Sequence, residues 1–231
     1  MAEREQGPAR RRLSRERVVA AALAIVDRDG LGALTMRALG RELGVDPMAV
    51  YHWVASKDAL LTLLVEAVYR EIPLDPALLP KGDWKARFRF AAAVFRDTLR
   101  RHPNALPVLA THPATTPEAM KPVDFALGIL RESGFAPADA IEAVSLMANY
   151  VIGFTLSEVG LPPGAETDVS DEEWNALFAA MTPEEFPNVV ELLQSYEFDW
   201  ERRFAFGLDT LTRGLEPLRA KSRGARRATR R

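Results

Sequence analysis

The sequence has 231 residues and no cysteine. A chain without thiols forms no disulfide framework and no thiolate metal site, and it suits a reducing compartment. Histidine is scarce too: His102 and His112 lie ten residues apart, and a metal site needs more ligands than these. We therefore expect a cytoplasmic protein that holds no metal and no cofactor.

Long uncharged runs are also missing. The longest run without Asp, Glu, Lys, Arg or His, residues 143–157, is shorter than the roughly 20 residues that cross a bilayer, and the arginine-rich N-terminus lacks the apolar segment of a secretory signal. The sequence therefore predicts no membrane partner and places residues 143–157 in a buried helix of a soluble protein. A glycine-rich phosphate loop and a recognisable nucleophile motif are absent, which disfavours an enzyme.

The sequence has no strand-like alternation of apolar and polar residues. Apolar residues instead recur at helical spacing between glycine and proline breaks. With 48% hydrophobic residues, the chain can bury a sizeable core. We predict an all-α protein.

Charge is unevenly distributed along the chain. The net charge is +3 over residues 1–57, −12 over residues 58–218 and +7 over residues 219–231. The small overall charge therefore does not argue against nucleic acid, because the positive groups gather where a phosphate backbone could meet them.

Residues 34–61 have the pattern of two short helices that are joined by a tight turn and followed at once by another helix. Gly44 can end the first helix in a left-handed conformation, Asp46 can cap the next, and Pro47 fits the first helical position, where no N–H is needed. This pattern predicts a helix-turn-helix, whose second helix can lie in a DNA major groove.

The helices around this turn have predictable buried faces. The recognition helix, about residues 47–54, is expected to bury Val50 and Val54 against the preceding helix. Ser56 caps a fourth helix that runs to about residue 72. Its apolar residues spread around most of its circumference, which predicts contacts on more than one side.

Proline breaks and composition predict the domain boundaries. Pro73 interrupts the helical pattern, and the last helix is expected to end near residue 215. We divide the chain into a basic disordered arm (1–13), a helix-turn-helix domain (14–72), a helical domain (73–217) and a basic disordered tail (218–231). The arm has a second, compatible interpretation, since it could follow the DNA minor groove as homeodomain arms do.

Residues at fixed spacing around the turn, from Gly44 through Tyr51 to Lys57 and Leu61, resemble the TetR (tetracycline repressor-like) family of transcription regulators. Residues 84–215 are more loosely similar to the regulatory domain of tetracycline repressors. The resemblance implies an N-terminal three-helix helix-turn-helix domain and a C-terminal helical domain for ligand binding and dimerisation. It also implies a homodimer, a palindromic operator in double-stranded DNA and a small-molecule effector.

The resemblance breaks at one position. Family members that bind a magnesium–tetracycline chelate use a histidine where this chain has Val108, and residues 71–73 at the end of the fourth helix contain no histidine either. Magnesium–tetracycline is therefore not the expected effector.

We predict DNA contacts for nine residues in the arm and around the turn. The set is Arg12, Thr35, Arg37, Pro47, Met48, Ala49, Tyr51, His52 and Lys57. Met48 and Ala49 offer only apolar contact, for example to a thymine methyl group, so specificity should depend on Arg37, His52 and the arm. Two alternatives stay open. Lys57 could equally be a solvated surface lysine, and Trp53 could be an aromatic side chain packed between helices.

Candidate effector-binding residues come from the helical domain, where side chains can line a cavity between helices. They are Phe88, Phe95, Leu109, His112, Phe125, Met147, Asn149, Tyr150 and Phe154. Core packing explains most of the aromatic residues equally well, and a structural role fits His112 as well as a ligand contact does.

Three functions compete. The first is a ligand-responsive, sequence-specific transcriptional regulator, a repressor that a small molecule releases from its operator. The second is a helical small-molecule-binding module without DNA function, and an enzyme ranks third. In the regulator, the effector favours a dimer whose recognition helices no longer match successive major grooves, roughly 34–36 Å apart. The fourth helix, which begins beside Ser56 and Lys57, is where we expect the effector state to reach the DNA.

Overall fold

A computed structural model of the chain describes residues 13–160, 170–195 and 199–228. Within these ranges the regular structure is helical throughout, which confirms the all-α prediction. The helices are α1 (Arg15–Asp29), α2 (Met36–Leu43), α3 (Pro47–Tyr51), α4 (Lys57–Arg70), α5 (Trp84–Arg100), α6 (Leu106–Thr111), α7 (Pro117–Glu132), α8 (Pro137–Val159), α9 (Asp171–Ala179), α10 (Pro187–Ser195) and α11 (Trp200–Ala228).

The chain divides into two compact units. The first comprises Met1–Ile72 and Asn104–Pro122, and the second comprises Pro73–Pro103 and Val123–Arg231. One division therefore falls at the predicted boundary before Pro73. The segment Asn104–Pro122, which contains α6 and the start of α7, belongs with the N-terminal helices instead of the helical domain in which the linear division placed it.

The core of the first unit forms where α1 packs against α2 and α4. Helix α1 begins at Ser14, whose hydroxyl oxygen accepts the Arg17 backbone N–H at 3.3 Å. Its buried face points at the apolar face of α4. The buried residues of the two helices are Val18, Ala22, Ile25 and Val26 in α1, and Leu60, Leu63, Leu64, Val65 and Val68 in α4.

The core of the second unit forms where α5, α8 and α11 pack together. Trp84, Phe88 and Phe135 meet at one end, with the Trp84 and Phe135 ring centroids 4.8 Å apart in an edge-to-face arrangement. By length and composition alone, α8 is long and apolar enough to span a membrane. Its buried residues lie on a face that packs against α5 and α11, as expected of a core helix.

The end of α11 differs from the sequence prediction. The helix continues through Gly214 and Pro217 to Ala228, so the predicted end near residue 215 is wrong and the predicted disordered tail is helical through residue 228. Proline removes one backbone hydrogen bond from a helix. Here Pro217 is exposed, while Thr212 and Leu215 are buried on the packed face of α11, which keeps the helix in place.

Candidate nucleic-acid interface

The turn between α2 and α3 has the geometry that the sequence predicts. Gly44 adopts the left-handed conformation, with φ +67° and ψ +34°, and its backbone N–H donates to the carbonyls of Arg41 and Gly40. The Asp46 carboxylate accepts the Met48 backbone N–H at 2.8 Å, and Pro47 occupies the first turn of α3. These contacts set α3 at a fixed angle to α2.

Gly40, in the interior of α2, is a structural residue that the sequence reasoning missed. A Cβ atom at this position would lie 2.9 Å from the Val45 carbonyl oxygen and 3.1 Å from the Pro47 Cα atom. Only glycine therefore allows α2 to approach the start of α3 this closely. The available signal was a glycine inside a short helical pattern, where it costs about 1 kcal/mol relative to alanine and usually has a packing reason.

The buried face of α3 orients the rest of the helix. Val50 is fully buried, as is Leu39 on the facing side of α2, and Val54 is 2% exposed. Burial of Val50 and Val54 confirms the sequence prediction. Since these residues point into the core, the opposite side of α3 faces solvent.

The structure places most of the predicted DNA-binding residues at the surface. Thr35, Arg37, Met48, Tyr51, His52 and Lys57 are exposed, while Pro47 and Ala49 are half-buried. Arg12 lies outside the described residues. Trp53 is 42% exposed, so its interpretation as an aromatic packed between helices is wrong, and it adds a further exposed ring next to α3.

The basic side chains near this surface differ in whether they form ion pairs within the chain. Arg28 forms ion pairs with Asp29 at 2.9 Å and with Glu42 at 3.2 Å, and hydrogen bonds to both carboxylates raise the pKa of the guanidinium. Within the described ranges, neither Arg37 nor Lys57 has an ion-pair partner. Both are therefore available to a phosphate backbone without first breaking an internal contact.

The start of α4 is fixed by a capping contact beside Lys57. The Ser56 hydroxyl oxygen accepts the Ala59 backbone N–H at 3.0 Å, and Lys57 is the first residue of the helix. Free backbone N–H groups at a helix start favour an anion, so the lysine and the helix terminus suit the same phosphate.

Two side-chain contacts join the segment Asn104–Pro122 to the N-terminal helices of the same unit. The Asn104 amide donates to the Asp27 carbonyl oxygen at 3.0 Å, at the C-terminal end of α1. The His112 imidazole Nε2 lies 3.6 Å from the Asp58 carboxylate, in the first turn of α4. His112, a candidate effector residue, is therefore placed against the helix that follows the recognition helix.

The nine candidate effector residues are divided between the two units. Leu109 and His112 lie in the first unit, and the other seven lie in the second. In the second unit, Phe88, Phe95 and Met147 are buried, Phe125, Tyr150 and Phe154 are half-buried, and Asn149 is exposed. The described residues contain no group of three or more His, Asp or Glu side chains suited to a metal ion.

Two of these candidates belong to an aromatic cluster that joins α8 to α11. The Tyr150 and Phe204 rings are stacked at 5.7 Å, and Phe154 lies 5.1 Å from Phe204 and 5.5 Å from Trp200. The Tyr150 hydroxyl donates to the Phe204 carbonyl oxygen at 3.0 Å, and burial raises the pKa of this phenol. Gly207 makes room for the ring, because a Cβ atom there would collide with it.

A buried arginine underlies this cluster, and the sequence reasoning missed it. The Arg96 side chain is 3% exposed and donates to both carboxylate oxygens of Glu158, at 2.7 and 2.6 Å, and of Glu201, at 2.7 and 2.9 Å. Its guanidinium also lies 4.5 Å from the Phe204 ring centroid. Burial alone would lower the pKa of Arg96, but the two carboxylates raise it. The available signal was a charged residue on the apolar stripe of α5.

Two family models match the sequence. Residues 18–64 match the model described as bacterial regulatory proteins of the tetR family, and residues 75–219 match the tetracyclin repressor-like C-terminal domain. The first match covers the helix-turn-helix, and the second covers most of the remaining chain.

Individual relatives agree with these matches. The chain is 33% identical to the HTH-type transcriptional repressor DrrR1 of Streptomyces coeruleorubidus, over 92% of this chain and 80% of that protein. It is 31% identical to the tetracycline repressor protein class D of Escherichia coli, over 89% and 90%. The crystal structure of Streptomyces coelicolor ActR in complex with actinorhodin superposes with a TM-score of 0.77 at 26% identity, over 89% of this chain and 98% of that one.

Proposed function

Since the chain belongs to the TetR family of bacterial regulatory proteins, and is therefore a ligand-responsive DNA-binding transcriptional regulator, we propose that it represses transcription from a palindromic operator until a small molecule releases it. The helix-turn-helix carries this proposal. Its caps, its close contact at Gly40 and its buried Val50 together turn Met48 and Tyr51 outward, as a major-groove reading helix requires.

The exposed residues divide by their chemistry into two kinds of DNA contact. Arg37, Thr35 and Lys57 donate to phosphates or base edges, which gives affinity that falls with salt. Met48, Ala49, Tyr51 and His52 lie on or directly after α3 and contact the bases or the adjacent backbone. Arg12 and Pro47 complete the proposed set, with Arg12 in the minor groove. The target is double-stranded DNA in the cytoplasm.

A homodimer is supported by exposed apolar side chains on α8 and α11. Phe206 is 74% exposed, Ile141 is 54% exposed and Leu146 is 46% exposed. Gly153 shares the exposed face of α8, and apart from its own helix backbone no described atom lies within 4 Å of the position its Cβ would take. Large exposed apolar side chains beside a small residue favour close packing of helices from a second copy, and a dimer presents two recognition helices to a palindrome.

The effector is proposed to bind the second unit and to be aromatic. The relative ActR binds actinorhodin, and Tyr150 and Phe154 offer half-buried rings that can stack on a planar ligand. Phe88, Phe95, Phe125 and Met147 supply further apolar surface, while Asn149 remains a candidate at the exposed face of α8. Val108 is 1% exposed and its side chain provides no metal-ligating atom, which argues against a magnesium–tetracycline chelate.

The effector state is proposed to reach DNA through α6 and α4. The chain passes from the second unit into the segment Asn104–Pro122 and returns along α7. These two chain connections are where the proposal places the transmission of movement from the second unit. Within the first unit, His112 then connects the end of α6 to Asp58 at the start of α4. A small shift of α4 changes the position of the recognition helix that precedes it.

Two successive experiments test this function. The purified chain first selects fragments of genomic DNA, and a screen then identifies small molecules that release the selected duplex. We expect one palindromic sequence to be enriched and to be released by aromatic compounds that bind the second unit. Enrichment of no sequence, or a selected duplex whose binding is insensitive to every compound that binds the protein, would contradict the proposal.

A further inference from the structure

Helix α3 carries very little hydrogen-bonding chemistry. Its residues are Pro47, Met48, Ala49, Val50 and Tyr51, and the Tyr51 hydroxyl is the single polar side-chain group among them. Direct reading of bases by hydrogen bonds uses arginine, lysine, asparagine, glutamine or carboxylate side chains in the major groove. The residues of α3 itself must therefore distinguish base pairs mainly in another way, whereas His52, at the C-cap of the helix, keeps a hydrogen-bonding ring.

Met48 is the most exposed residue of α3. It is 68% exposed, more than Tyr51 at 44%, while Ala49 beside it is half-buried. The Asp46 carboxylate holds the Met48 backbone N–H at 2.8 Å, so the backbone is fixed while the thioether side chain stays free to adjust. Residues near the start of a recognition helix are those that contact base edges.

The major groove presents one apolar group for such a side chain to contact, the C5-methyl group of thymine. We propose that α3 reads the operator through thymine methyl groups, with Met48 packed against one methyl group in each half-site. Ala49 offers a smaller apolar surface beside it. This inference rests on the proposed function, because it requires an operator, and it adds the chemical feature by which that operator is recognised.

The assignment has a clean chemical test, because uracil differs from thymine only by the missing methyl group. Burial of one methyl group contributes about 0.8 kcal/mol, which corresponds to about a fourfold change in affinity. Replacing the contacted thymine by deoxyuridine should therefore weaken binding about fourfold in one half-site and roughly fifteenfold in both. The replacement retains every hydrogen-bonding group of the base pair.

The experiment measures fluorescence anisotropy of the genomically selected duplex with each thymine replaced in turn. The wild-type chain should lose affinity at one position in each half-site. Met48→Ala should bind the thymine duplex more weakly and should no longer prefer thymine to uracil at that position. Met48→Leu should keep the preference for thymine. Met120→Ala is the matched control, since Met120 is 44% exposed on α7 of the same unit and should leave the preference unchanged.

The outcomes separate this inference from the function on which it rests. Sequence-specific binding that is indifferent to every uracil replacement overturns the methyl contact and leaves the repressor proposal standing. A uracil effect that persists unchanged in Met48→Ala overturns the assignment to Met48. A selection that enriches no sequence overturns the proposed function and this inference together.

Discussion

The His112 imidazole Nε2 lies 3.6 Å from the Asp58 carboxylate, which joins the end of α6 to the first turn of α4. Asp58 directly follows Lys57, and Ser56 caps the same turn. The Asp58 side chain is 86% exposed, so the contact contributes little to stability. Its position at the helix that follows the recognition helix is why we propose it as the connection through which movement of α6 reaches the DNA-binding surface.

Asp58→Asn should separate effector binding from operator release. The variant loses the carboxylate that faces the His112 ring, so a shift of α6 should be transmitted to α4 less completely, while the effector still binds. We expect nearly unchanged operator affinity without effector and at least a severalfold smaller release at saturating effector, measured by anisotropy. Asp124→Asn, an exposed change on α7, is the control. Full release by the Asp58 variant would exclude this contact from the coupling.

Lys57→Ala should weaken DNA binding nearly equally for all sequences. Lys57 is exposed, has no ion-pair partner within the described ranges and starts α4, where it suits a phosphate. Each lost phosphate contact should reduce the slope of log affinity against log salt by about 1 per half-site. Salt titrations of the variant and of Lys81→Ala, an exposed lysine in the second unit, provide the measurement. Equal slopes for the Lys57 variant and the wild type would remove Lys57 from the contacts.

Gly40→Ala should destabilise the first unit and disturb DNA binding. The added Cβ would meet the Val45 carbonyl oxygen at 2.9 Å, and because this neighbour is backbone, α2 and α3 must move apart. Overpacking of this kind costs about 1–3 kcal/mol. Thermal unfolding can be compared with Gly128→Ala in α7. Outside the helix's own backbone, no atom of the described residues lies within 4 Å of that new Cβ, and helix propensity improves. A Gly40 variant as stable as the wild type would show that the turn tolerates the shift.

Much of the first unit follows from local sequence signals, and these could be read in advance. Ser14, Thr35, Asp46 and Ser56 cap helices through backbone groups two or three residues away, so each cap is decided within one helical turn. The close approach at Gly40 depends on the angle between two helices, which no single pattern specifies.

The second unit was harder to predict because its decisive contacts are distant in sequence. Arg96 meets Glu158 across 62 positions and Glu201 across 105, so no periodicity within α5 reveals the partners. A distant partner also decided the position of His112 in the first unit, which the sequence suggests as a cavity residue and the structure places against Asp58. The continuation of α11 past Pro217 depends on the burial of its opposite face, and a proline rule applied to the sequence alone predicts an end instead.

Arg96→Met should cost much more stability than the loss of an exposed ion pair. The change leaves Glu158, whose side chain is 8% exposed, without its main partner, and breaking such a buried pair costs about 3–5 kcal/mol. Arg100 lies 3.5 Å from Glu158, so we expect the loss of stability to fall near the lower end of this range. Urea unfolding of Arg89→Met is the control, because its pair with Asp209 is more than a third exposed and contributes about 0–1 kcal/mol. Equal losses for both variants would contradict a structural role for Arg96.

Phe206→Glu should convert the proposed homodimer to monomers. The Phe206 side chain is 74% exposed on α11, and a carboxylate in the proposed apolar interface would be buried without a partner in each copy. Sedimentation should show half the wild-type mass with helical content retained, since the residue makes no core contribution. Leu78→Glu, at a residue that is 51% exposed and lies outside α8 and α11, should remain dimeric. A dimeric Phe206 variant would place the interface elsewhere.

The central claim, that paired recognition helices read one palindrome, is tested most directly by anisotropy titration of two duplexes. One is the selected operator, and the other has the same composition with one half-site scrambled. The account predicts that two chains bind the intact operator and that scrambling one half-site weakens binding by at least tenfold at physiological salt. Equal affinity for both duplexes, falling in parallel as salt rises, would contradict it.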